Sequence, residues 1–97
     1  MNPESEQKNI SEAIIDGLRI KGFSIEKLSQ LTGVSERSIN AFIDGHFNLL
    51  PSAPYVHGYL IKMSEVLGLD GKKLWADYLK NNGMIQTTNR LLKNENY

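Results

Sequence analysis

Glycine falls at positions 22, 33, 45, 68 and 83, each time just after a stretch of helix-spaced apolar residues. Three- and four-residue spacing of apolar side chains makes one face of an amphipathic helix. Glycine just past a helix end supplies the left-handed backbone that closes it. A chain punctuated in this way builds short helices joined by tight turns. No stretch carries the two-residue alternation of a strand. At 97 residues, 40% of them hydrophobic, the chain has material for one core. The expected fold class is therefore all-α.

Five helices are legible. The first is expected from Ile10 to Lys21, with Asn9 as N-cap, Glu12 completing a capping box, and Ile10, Ala13, Ile14 and Leu18 inward. The second opens after Ser24, turns Ile25, Leu28 and Leu31 inward, and stops at Thr32-Gly33. The third opens after Ser35 and ends at Gly45, burying Ile39, Phe42 and Ile43. Residues 46–53 read as a loop pinned to the core by Phe47, Leu49 and Leu50. Pro54 suits a first helical position, and the fourth helix runs from there to Leu67 with Val56, Leu60, Met63 and Leu67 on one face. Asp70 caps a fifth, whose apolar positions are Leu74, Trp75, Tyr78 and Leu79. Three segments follow: a disordered stretch over 1–8, a domain over 9–82, and a tail or linker over 83–97.

Composition narrows the function. With no cysteine there is neither a disulfide framework nor a thiolate metal site, and two histidines, His46 and His57, do not make a typical zinc site. The chain has no glycine-rich phosphate loop, no nucleophile elbow and no paired-histidine zinc motif. His57 reads as a polar-face residue, His46 as loop surface, and Trp75 with Tyr78 as core closure. No catalytic residue, metal ligand, cofactor or small-molecule substrate is expected. No apolar run approaches the roughly 20 residues of a membrane-spanning helix, and the polar start carries no secretory signal.

The stretch Ser24 to Gly45 carries the most meaning. Two short helices flank the turn Thr32-Gly33-Val34-Ser35. Gly33 permits the sharp bend, Val34 plugs the angle between the helices, and Ser35 caps the second. This is the physical recipe of a helix-turn-helix.

From Gly17 to Tyr78, about two thirds of the chain, the sequence resembles the RodZ-type helix-turn-helix domain, within the lambda-repressor-like (Xre/Cro) class. The residues carrying the resemblance are Gly17-Leu18-Arg19, the run Gly22 to Leu28, Thr32-Gly33-Val34, the run Phe42 to Phe47, Leu50-Pro51, the run Pro54 to Leu60 (PYVHGYL), and the run Leu67 to Asp70. The PYVHGYL block after the loop ending Leu50-Pro51 is the specific part. The resemblance implies a five-helix lambda-repressor-like fold. It also implies a bacterial cell-shape factor whose cytoplasmic domain docks on the actin-like filament protein MreB. Relatives of this type continue into a basic linker, one membrane span and an external domain. The implied location is the cytoplasm, or the cytoplasmic face of the inner membrane if a span follows in the native protein.

Two surfaces compete for a partner. The resemblance assigns docking to the helix opening PYVHG, at Tyr55 and Tyr59, with Lys62 one turn further where an aromatic is common in the family. The alternative is a small transcription regulator that lays its third helix in the major groove. Arg37 would then read guanine and Asn40 adenine, with Ser35 and Ser38 beside them and Lys27 with Ser24 on phosphate. Charge weighs against DNA. Residues 9–79 carry seven basic and eight acidic side chains, about −1 in all, whereas phosphate neutralisation supplies most non-specific affinity. A third possibility is self-association through Met84, Ile85, Leu91 and Leu92 in the tail.

Overall fold

The computed structural model describes residues 9–81. The segment expected to be disordered (1–8) and the tail with Met84, Ile85, Leu91 and Leu92 lie outside the described residues. Five α-helices follow in order: α1 (Ile10–Lys21), α2 (Ile25–Thr32), α3 (Glu36–Asp44), α4 (Ala53–Leu67) and α5 (Gly71–Asn81). A single 3-10 turn, Phe47–Leu49, lies between α3 and α4. Among the described residues there is no strand, and the fold is all-α.

Local chemistry sets the helix ends. At the start of α1, Asn9 Oδ1 accepts from the Glu12 amide at 2.8 Å and Glu12 Oε1 accepts from the Asn9 amide at 3.3 Å, a complete capping box. Ser24 Oγ accepts from the Lys27 amide and opens α2. Asp70 Oδ1 takes the amides of Lys72 and Lys73, both at 3.2 Å, and opens α5. The glycines after α1 to α4 all have positive φ, as their spacing in the sequence predicts.

The core lies where these helices cross. Ile10, Ile14 and Leu18 from α1 meet Leu28 of α2, Ile39 and Phe42 of α3, Val56, Leu60, Met63 and Leu67 of α4, and Leu74 and Tyr78 of α5. α1 packs mainly on α3, while α4 is central and touches α5, α2 and α1. α1 and α4 approach closely at Gly17, where a Cβ would sit 3.0 Å from Leu67 Cβ.

Three details depart from the sequence expectation. Leu31 is 47% exposed rather than inward, because Thr32, a full turn after Leu28, takes the buried place. Leu49 is 46% exposed. The 3-10 turn brings residues three apart onto one side, so Phe47 and Leu50 pack on the core and Leu49 points away. α4 begins at Ala53 after Ser52, which makes Pro54 its second residue.

Candidate interaction surfaces

The turn between α2 and α3 is locked by side chains as well as backbone. Gly33 (φ 80°) donates its amide to the Ser29 carbonyl at 2.8 Å. The buried Thr32 hydroxyl donates to the Leu28 carbonyl at 2.7 Å and accepts the Val34 amide at 3.1 Å. Val34 is fully buried. The Val34 amide, which the bend would strand inside the protein, is thus partnered. Sequence reasoning passed over Thr32. Its signal was a threonine in the last helical position before Gly-Val, where its hydroxyl reaches back one turn.

That lock fixes how α3 presents itself. Glu36, Arg37, Asn40 and Asp44 are exposed, opposite the buried Ile39 and Phe42. Ser35 is exposed at the N-cap and accepts the Ser38 amide at 3.1 Å. Ser38 departs from the expected base-reading role. It is only 7% exposed, and its hydroxyl accepts from Ser35 Oγ at 3.1 Å. Arg37 and Asn40 remain on the outer face, with Lys27 exposed on α2. Together α2 and α3 carry two cations, Lys27 and Arg37, against three anions, Glu26, Glu36 and Asp44.

The second surface is the start of α4. Tyr55 is 64% exposed. Lys62, two turns on, is exposed, whereas Tyr59 is half-buried and packs against the core. Gly58 is exposed between them, with open space where a Cβ would stand.

A series of rings anchors α4. His57 lies against Trp75 of α5 with ring centroids 4.5 Å apart, and Trp75 stacks on Tyr78 at 5.6 Å and 14°. Phe47 contacts Tyr78 at 5.4 Å and Phe42 at 6.4 Å. The series runs from the surface of α4 through α5 and the 3-10 turn into the end of α3. His57, read from the sequence as a polar-face residue, is held by Trp75. Burial raises the Tyr78 hydroxyl above the ordinary tyrosine value of 10.0.

An open cavity of about 300 Å³ lies among Asn9, Ile10, Ser11, Phe42, Gly45 and Phe47. None of these side chains is an acid or base, and the Ser11 hydroxyl donates to the Ile43 carbonyl at 2.6 Å. Among the described residues no group of three or more His, Cys, Asp or Glu side chains is placed to hold a metal ion. No described helix is long and apolar enough to cross a membrane.

Comparison with known protein families gives a match. The helix-turn-helix domain family aligns with residues 19–74, which run from the end of α1 into α5. Neither the curated proteins nor the solved structures gave a match. The matched span contains the locked turn between α2 and α3 and covers more than half of the chain. The protein therefore belongs to the helix-turn-helix domain family, of the lambda-repressor-like type.

Proposed function

We propose that this protein is a non-enzymatic docking module that binds a cytoplasmic protein partner through the exposed start of α4. The observation that carries this reading is the exposure of Tyr55, at 64% on a helix whose other face is buried in the core. A large amphipathic ring on a rigid element is the kind of side chain that anchors interfaces, because little conformational freedom remains to be lost on binding. Tyr59, half-buried beside it, and Lys62, exposed beyond it, complete the surface. Resemblance to the RodZ-type domain points to an MreB-like actin filament as the partner, and so to cell shape.

DNA reading by α3 is the second possibility, favoured by the exposed Arg37 and Asn40. Against it stands the charge of α2 and α3, where Glu36 and Asp44 share the outer face of α3 with Arg37. Of the five residues expected for DNA, Ser35, Arg37, Asn40 and Lys27 face solvent and Ser38 does not.

Co-sedimentation of the 97-residue chain with purified MreB filaments tests the docking reading. Tyr55→Ala should weaken binding by about tenfold or more, as loss of an interface anchor does. The double variant Arg37→Ala with Asn40→Ala should bind as the parent does. The converse result would move the function to α3: no pelleting, together with amide shifts at Ser35 to Asn40 on adding a DNA duplex at low salt. Low salt gives phosphate contacts their greatest strength.

A further inference from the structure

The open cavity beside the start of α1 has apolar walls, Ile10, Phe42 and Phe47, and Gly45 lines it without a side chain. Its polar groups are already engaged. Asn9 Oδ1 accepts the Glu12 amide, the Ser11 hydroxyl donates to the Ile43 carbonyl, and the Gly45 amide donates to the Phe42 carbonyl. No lining side chain carries a charge. At about 300 Å³ the space is far larger than one water molecule, whose share of liquid volume is about 30 Å³. The chemistry of the walls therefore asks for an apolar side chain rather than an ion or a hydrogen-bonding ligand.

The helix ends of this chain show where such a side chain comes from. Where a glycine closes a helix, the residue after it commonly folds back on the last turn, with an apolar contact to side chains four and five positions before the glycine or its follower. Phe23 after Gly22, Val34 after Gly33 and Leu69 after Gly68 all pack inward. The Phe23 amide donates to the Leu18 carbonyl and the Leu69 amide to the Ser64 carbonyl, the backbone bonds of that fold-back. After Gly45 the follower is the polar, exposed His46, and Phe47 packs inward instead. Gly83-Met84 repeats the glycine-apolar pair after α5. The same geometry aims Met84 at Tyr78 and Leu79. Tyr78 lies against Phe47, a wall of the cavity, at 5.4 Å, and α5 packs on α1 as well. Met84 is three residues past Asn81, a reach of about 10 Å.

We propose that the cavity between the start of α1 and the end of α3 is an intramolecular docking site for the chain's own C-terminal segment, with Met84 as the side chain that enters it. A thioether on a flexible stem suits an irregular space beside phenyl rings, where sulfur gains from aromatic contact. The chain also meets the cavity at Asn9, but the residues before it, Ser5-Glu6-Gln7-Lys8, offer only polar side chains. Seating Met84 covers Ile10 and Phe47 and directs the chain after α5 past the start of α1. This use of Met84 is independent of the surface at α4 and stands whether the partner is protein or DNA.

The test is NMR on the full chain with labelled methionine methyl groups, at several protein concentrations. The methionines are Met1, Met63 and Met84, and Met84→Leu identifies the third signal by removing it. The Met84 methyl should be shifted by ring currents and should give cross-peaks to both Phe47 and Ile10, unchanged on dilution. Met84→Asn should melt several degrees lower than the parent, while Met84→Leu and the control Leu91→Asn should melt with it. Absence of the cross-peaks overturns the proposal, whatever the melting shows. Cross-peaks that disappear on dilution and arise between differently labelled chains overturn it too, because the occupant is then a second copy.

Discussion

Thr32 decides more about this protein than its place at a helix end announces. Its hydroxyl joins the Leu28 carbonyl to the Val34 amide across the bend that sets the angle between α2 and α3. Thr32→Val keeps the shape and removes both bonds, which leaves the Val34 amide, in a buried setting, without its partner. A buried group left unsatisfied costs about 1–3 kcal/mol. The urea midpoint should fall by a matching amount with little change in slope, and an unchanged midpoint would dismiss the lock. The hydrogen bond was hidden in the sequence because threonine in a last helical turn has two options, solvent or the carbonyl one turn back. Only the neighbouring apolar packing, which buries the residue to 6% exposure, selects the second.

At the scale of helices, two glycines differ in what a side chain would meet. Gly17 lies where α1 crosses α4, with Leu67 Cβ 3.0 Å from the position of an added Cβ. Because that neighbour is fixed to backbone, Gly17→Ala forces the helices apart, at about 1–3 kcal/mol for overpacking. Better helix propensity returns only about 1 kcal/mol, so the net effect is a lower melting temperature. Gly58→Ala meets open space and should gain about 0.5–1 kcal/mol. Melting curves of the two variants should move in opposite directions; a rise for Gly17→Ala would show that α1 and α4 can separate freely. The four helix ends marked by glycine, and the caps at Asn9, Ser24, Ser35 and Asp70, were readable in advance because caps act within a few residues. Leu31 and Leu49 were misplaced because periodicity alone does not say which neighbour a borderline position will meet.

For the whole molecule, the run of rings from His57 to Phe42 ties α4, α5, the 3-10 turn and α3 into one body. Tyr78 sits within it, and burial raises its hydroxyl above the ordinary value of 10.0. The folded state thus favours the protonated phenol. This contribution to stability is complete below about pH 10 and is lost as pH rises through the raised value. Tyr78→Phe should remove part of the alkaline fall in stability, as measured by urea unfolding over about pH 9 to 11. Identical alkaline limbs in parent and variant would contradict it.

The sequence by itself determined the all-α class, the helix order and the position of the bend. Those features depend on spacing and on residues within one or two turns. Only the tertiary structure decided that Ser38 turns inward, that Tyr59 is half-buried while Tyr55 stands free, and that His57 rests on Trp75. Each depends on a partner element far along the chain, and an isolated helix face carries no record of which element will cover it.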